Sequence, residues 1–116
     1  MKLYEDKTAS PELRAKDLLT QMTLTEKCGQ LTQKLYGFRV YDRVGGNITL
    51  NEEFRAEVQR YSGLGTLYAL HRADPWSGRN FETGLDGTLS VKARNMVQEY
   101  VLEHSRLRIP VLFSTE

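Results

Sequence analysis

The stretch RLRIPVLFSTE, residues 106–116, decides the predicted fold. It reads as a short connection, an apolar strand that opens at Pro110, and an acid, Glu116, directly after the strand. Proline is tolerated at the first position of a strand, where its missing N–H donor costs little. Because parallel α/β folds bind ligands beyond the carboxyl ends of their strands, we expect Glu116 to belong to a site. The sequence then stops at its first site residue.

A second apolar stretch, GTLYAL at 65–70, predicts the partner strand, and an amphipathic helix separates the two. A strand, a covering helix and a second strand form a βαβ unit, here 65–114, whose strands are parallel in nearly all known cases. Two parallel strands do not make an independent core. We therefore expect further strands beyond residue 116 or in another copy of the chain, and self-association of the 116-residue chain.

The residues before this unit predict a helical lead-in over 10–61. Ser10 and Pro11 are typical of a helix start, because a hydroxyl caps the first turn and proline needs no partner there. Thr23 and Glu26 have the spacing of a capping box. After this box the apolar positions, Cys28 among them, recur at helical spacing and predict a buried stripe.

Between the second predicted helix and a third one at about 50–61, glycines break the periodicity. Residues 38–49 are therefore interpreted as a loop, with a short extended piece around 38–41 as the alternative. From 71 to 87 there is no periodicity at all, and loops of this length are uncommon in compact domains unless they line a site.

Composition and charge exclude several classes of function. Sixteen basic and fifteen acidic residues give a formal charge of +1 and are interspersed, whereas binding to a phosphate backbone needs a concentrated basic face. No apolar run approaches the roughly 18 residues of a membrane span. We find no metal-ligand spacing and no phosphate-binding loop, so neither a metal nor a cofactor is predicted. A cytoplasmic location is the expectation.

Three stretches together resemble the N-terminal domain of family 3 glycoside hydrolases, the β-glucosidase and β-xylosidase group. They are DLLTQMTLTEKCGQL at 17–31, GLGTLY at 63–68, and the segment 95–113, which begins with NMVQEY and ends with SRLRIPVLF. Their order and spacing cover nearly the whole chain. The resemblance implies an α/β fold, the N-terminal fragment of a TIM-type (β/α)8 barrel with about two parallel strands. Since such barrels have about 250 residues, residues 1–116 would form a single incomplete domain.

The resemblance also implies a retaining β-glycosidase acting on terminal β-linked glucosyl or xylosyl residues. Glu116 matches the family's strand-end acid, which binds sugar hydroxyls. The nucleophile and the acid/base come from later segments of the family, so no residue here is assigned a catalytic role and the chain alone is expected to be inactive. One alternative is a stand-alone carbohydrate-binding or assembly module. Another is a relative that cleaves N-acetylglucosaminides or phosphorolyses its substrate.

The long loop supplies four further candidates for substrate binding. Trp76 is suited to stack on a pyranose ring, while Arg72, Asp74 and Arg79 can hydrogen-bond hydroxyls. The simpler alternative is that Trp76 fills a gap beneath the loop and that Asp74 pairs with an arginine.

Overall fold

The computed structural model of the chain describes residues 2–115. Within this range there are four α-helices, two short 3₁₀ helices and four strands. The 3₁₀ helices are Leu3–Glu5 and Gly37–Arg39; the other elements are α1 (Pro11–Gln21), α2 (Leu24–Leu31), β1 (Tyr41–Val44), β2 (Asn47–Leu50), α3 (Glu52–Tyr61), β3 (Thr66–Tyr68), α4 (Gly87–His104) and β4 (Leu112–Ser114).

The helix starts predicted at Ser10 and Thr23 are confirmed. The Ser10 hydroxyl accepts a hydrogen bond from the N–H of Leu13 at 3.3 Å, and Pro11 is the first residue of α1. At α2 the capping box is complete: the Thr23 hydroxyl accepts from the Glu26 N–H at 3.2 Å, and the Glu26 carboxylate accepts from the Thr23 N–H at 2.9 Å. These local contacts satisfy N–H groups that the first helical turn leaves without partners.

The prediction that the apolar stripe of α2 is buried is wrong. Leu24 is 78% exposed and Leu31 is 87% exposed, and Cys28 between them is exposed as well. The buried positions of α2 are Glu26 and Gly29. Glu26 forms an ion pair with Arg106 at 2.7 Å, and Gly29 lies so close to Tyr61 that a Cβ would fall 2.9 Å from the Tyr61 Cγ. The ion pair with Arg106 and the close contact with Tyr61 thus determine which face of α2 is buried. The hydrophobicity of its side chains does not determine it.

The segment interpreted as a loop contains an antiparallel hairpin. β1 and β2 pair with Tyr41 opposite Leu50 and Val44 opposite Asn47, so only two glycines form the turn. Gly45 has φ +59°, which glycine adopts without strain. Along β2 the side chains alternate, and Ile48 and Leu50 are buried in the core.

The strands on either side of α4 pair in parallel. Thr66 lies opposite Leu112 and Tyr68 opposite Ser114, and the ladder continues with a hydrogen bond from the Ala69 N–H to the Ser114 carbonyl at 2.9 Å. α4 packs through three residues that are fully buried, Ala93, Val97 and Val101.

The predicted fragment of a TIM-type barrel is a wrong fold class. The described residues form a small α/β domain with four helices and two separate two-stranded sheets, one antiparallel and one parallel. Tyr41 and Ile48 of the hairpin share one hydrophobic cluster with Leu67 and Val97 of the β3–α4 region. The hairpin therefore covers apolar surface of the β3–α4–β4 unit. The barrel prediction had expected strands outside the chain to cover this surface. No helix in the described range has the length and apolar character needed to cross a membrane.

Candidate functional site

A cavity of about 340 Å³ lies beyond the carboxyl ends of β3 and β4. Its lining comes from the residues that follow each strand; these are Ala69, His71, Arg72, Ala73, Asp74 and Thr115. This is the edge of a parallel sheet at which ligands are commonly bound. The cavity is therefore the candidate site of this chain.

A strained turn after β3 brings these residues together. Ala69 is 3% exposed and has φ +65°, a conformation that residues other than glycine rarely adopt. The turn is closed by a hydrogen bond from the Arg72 N–H to the Ala69 carbonyl at 3.3 Å. Backbone strain of this kind costs about 1–3 kcal/mol and persists only where the surrounding structure enforces it. Here the conformation of Ala69 is held by the hydrogen bond from its N–H to the Ser114 carbonyl of β4.

Arg72 and Asp74, two of the predicted site residues, lie together in the cavity wall. The Arg72 Nε donates to the Asp74 Oδ2 at 2.6 Å, and about a third or less of each side chain is exposed. Ser77 orders the carboxylate, because its N–H donates to the Asp74 Oδ1 at 2.9 Å. The hydrogen bond from the Ser77 backbone, followed by the contacts with Arg72, lowers the pKa of Asp74 below its ordinary value. The pair thus presents an ionised acceptor beside a cationic donor.

Trp76 lies outside the cavity lining. Its ring packs edge-to-face against Tyr36 at 5.1 Å and Phe38 at 5.2 Å between ring centres, and the Arg72 guanidinium lies 4.5 Å from its centre. The side chain is nevertheless 55% exposed. Trp76 therefore joins the loop to an aromatic cluster, and through Arg72 it touches the residues of the cavity.

Arg79 is directed to the hairpin side of the loop. Its guanidinium donates to the carbonyls of Phe38 at 3.0 Å, Thr83 at 3.0 Å and Tyr41 at 2.6 Å. It also lies 4.1 Å from the centre of the Tyr41 ring. These contacts connect the long loop to β1 and keep Arg79 apart from the cavity that Arg72 and Asp74 line. The remaining candidate, Glu116, lies outside the described residues; its neighbour Thr115 lines the cavity.

His71 is a cavity residue to which the sequence pattern assigned no role. Its only sequence signal is its position directly after the end of a strand. The Nδ1 atom is buried and has no hydrogen-bond partner in the described part of the chain. Burial lowers the pKa of His71 below its ordinary value of 6.5, and the nearby positive charge of Arg94 lowers it further. The imidazole is therefore neutral at pH 7.

No protein-family model matches the chain, and no curated protein matches it either. Among residues 2–115, no group of three or more His, Cys, Asp or Glu side chains is placed to hold a metal ion. The polar side chains of Arg72, Asp74 and Thr115 in the cavity lining can form hydrogen bonds with a ligand.

Proposed function

We propose that this chain provides part of the glycosyl-binding site of a retaining β-glycosidase that acts on terminal β-linked glucosyl or xylosyl residues. The observation that carries the proposal is the polar cavity at the carboxyl ends of β3 and β4. The resemblance of residues 17–31, 63–68 and 95–113 to family 3 glycoside hydrolases supports the choice of a sugar as ligand. The proposal does not depend on a barrel fold.

The cavity has the size and the chemistry for a single sugar unit. Its volume of about 340 Å³ is near the lower end of the range of roughly 300–1,000 Å³ found for small-molecule sites. Sugar hydroxyls both donate and accept hydrogen bonds, and the ionised Arg72–Asp74 pair offers both functions within 2.6 Å. Hydrogen bonds with an ionised partner are about twice as strong as neutral ones. The pair is thus suited to hold two neighbouring hydroxyls.

Hydrolysis requires groups that the described cavity does not supply. Retaining glycosidases use two carboxyl groups about 5–5.5 Å apart, one as nucleophile and one as acid/base. Asp74 is the one carboxylate among the described residues that line the cavity, and it is held in an ion pair. We assign it to substrate binding. The 116-residue chain is accordingly proposed to bind sugar without cleaving it.

The test is a titration of the ¹⁵N-labelled chain with methyl β-D-glucoside and methyl β-D-xyloside, followed by NMR. We expect amide shifts concentrated at residues 69–74 and 115. Arg72→Ala should weaken binding at least about tenfold, because it removes a charged donor. Arg60→Ala, which removes an arginine packed on Tyr61 away from the cavity, is the matched control and should leave the affinity unchanged. Shifts scattered over the surface, or equal affinity in both variants, would contradict the proposal.

The same samples test catalysis. The purified chain should not release the chromophore from an aryl β-glucoside, and steady release that Asp74→Asn abolishes would refute the assignment of Asp74 to binding alone. A cytoplasmic location is part of the proposal.

A further inference from the structure

We propose that Trp76 is a positioning residue of the candidate site: its ring holds the Arg72 guanidinium in place for the sugar, and Trp76 itself does not contact the sugar. This role rests on the proposed function, because it explains how one binding group of the same site is ordered. It differs from the stacking of Trp76 on a pyranose ring that the loop composition suggests.

The Arg72 side chain is held by three different groups. Its Nε atom donates to the Asp74 carboxylate at 2.6 Å, and its Nη1 atom donates to the Tyr68 hydroxyl at 3.4 Å. The third group is Trp76, since the guanidinium carbon lies over the ring, 4.5 Å from its centre. A cation within about 6 Å of an aromatic ring centre is attracted by the ring, and tryptophan attracts it most strongly. Together the three contacts restrict where the guanidinium can lie.

The aromatic cluster, which consists of Tyr36, Phe38 and Trp76, fixes the Trp76 ring. Tyr36 and Phe38 stack with ring centres 5.4 Å apart, and Trp76 packs edge-to-face on both. Phe38 is 7% exposed, and Tyr36 forms a parallel bridge with Tyr68 of β3. The cluster therefore connects Trp76 to the strand that leads into the cavity, and the ring is a rigid support for Arg72.

A guanidinium that is ordered before the ligand arrives binds the ligand more tightly than a mobile one. Arginine loses much rotamer freedom when it is fixed, and ordering such a side chain during binding lowers the affinity about two- to tenfold. The Arg72 side chain is 27% exposed and belongs to the cavity lining, so it stays accessible to a ligand while Trp76 supports it. Removing the ring should therefore weaken binding although Arg72 is still present.

Two observations favour positioning over direct stacking of Trp76 on the sugar. Trp76 is not among the described residues that line the cavity. In addition, Arg72 lies over the ring, so that this face of Trp76 is not open to a pyranose.

The test measures the affinity for methyl β-D-glucoside of the wild-type chain, Trp76→Leu and Trp76→Phe by NMR titration. Leucine removes the ring, and we expect binding about two- to tenfold weaker. Phenylalanine keeps an aromatic face for the guanidinium and should restore most of the affinity. Phe81→Leu is the matched control, because Phe81 is an aromatic residue of the same loop that is 98% exposed and lies outside the cavity lining. It should bind as the wild type does.

A second measurement is independent of the ligand. The NMR signal of the Arg72 Nε–Hε group, assigned by its absence in Arg72→Ala, reports the order of the side chain. We expect a sharp signal in the wild type and in Trp76→Phe, and a broadened signal in Trp76→Leu. A signal equally sharp in Trp76→Leu would refute the positioning of Arg72 by the ring.

The double variant Arg72→Ala/Trp76→Leu separates positioning from direct contact. If Trp76 acts through Arg72, loss of the ring has no effect once the guanidinium is absent, so the double variant should bind as Arg72→Ala does. Still weaker binding would show that the sugar contacts Trp76 and would overturn the proposal. Equal affinity of the wild type and Trp76→Leu would refute the role of Trp76 while the sugar site stands. If the wild type binds no glucoside, the proposed function fails and this role fails with it.

Discussion

Gly65→Ala should destabilise the packing between α2 and β3. Gly65 precedes β3 and packs directly on the backbone of Gln30 at the end of α2. A Cβ at this position would lie 2.5 Å from the Gln30 Cα and 2.6 Å from its carbonyl carbon, and closer still to the carbonyl oxygen. Because the obstacle is backbone, no side-chain rotation can relieve the contact, and the helix or the strand must move.

The size of the effect follows from this geometry. Carbon atoms pack best at about 3.5–4.0 Å, so the two segments must separate by roughly 1 Å. Leu64 is 3% exposed and Leu67 is fully buried, so such a shift opens the core on both sides of Gly65. Overpacking typically costs about 1–3 kcal/mol, and we expect at least the upper value for a backbone clash. For a domain of this size, that corresponds to a fall in melting temperature of about 10 °C or more.

Thermal and urea denaturation, followed by circular dichroism, measure this loss. Gly87→Ala is the matched control: nothing lies within 4 Å of a Cβ there, and Gly87 begins α4. Alanine at that position should leave the stability unchanged or raise it by up to about 1 kcal/mol, since alanine reduces the conformational entropy of the unfolded chain. A Gly65→Ala protein that melts within about 2 °C of the wild type would refute the predicted contact between Gly65 and Gln30.

Two further variants test the packing of α2. Because hydrogen bonds from Arg106 hold the pKa of Glu26 below its ordinary value of 4.5, the unfolded chain takes up this proton first as the pH falls. Stability should therefore decrease below about pH 4.5. Glu26→Gln should lower the free energy of unfolding by about 1–2 kcal/mol at pH 7. In urea titrations, the stability of this variant should fall less than that of the wild type as the pH is lowered below about 4.5. A variant with the same pH profile as the wild type would contradict the ion pair. Leu31→Lys, at a position 87% exposed, should reduce the self-association expected of the chain in sedimentation velocity without changing the melting temperature, and a large loss of stability would show that Leu31 is buried.

Features that depend on neighbouring residues were predictable from the sequence. The caps at Ser10 and Thr23 join groups three residues apart, so the residue types alone indicate them. The strand at Thr66–Tyr68 and the strand at Leu112–Ser114 were also found within the predicted stretches, because short apolar runs bounded by glycine or proline are typical of strands. The expected burial of the second strand is wrong, since Leu112 is 71% exposed. The hairpin at 41–50 was missed, since its glycines were taken as signs of a loop when they form a two-residue turn.

The candidate site was predictable only in part. The location beyond the ends of the parallel strands and the presence of Arg72 and Asp74 in one cavity follow from the order of the elements and from the loop composition. The partners of Arg79, three carbonyls of other segments, could not be predicted, because its bonds to Phe38 and Tyr41 join residues about 40 positions apart. No local sequence pattern indicates that the Nδ1 atom of His71 is buried.

The sequence by itself determined where α1 and α2 begin and which stretches contain β3 and β4, because capping, glycine and proline act over a few bonds of the chain. Only the tertiary structure decided which faces are buried. In α2 the leucines point outward, because Glu26 bonds to Arg106 across 80 positions and Gln30 packs on Gly65. Which residues are buried depends on all the contacts between distant segments, and no single stretch of the sequence specifies those contacts.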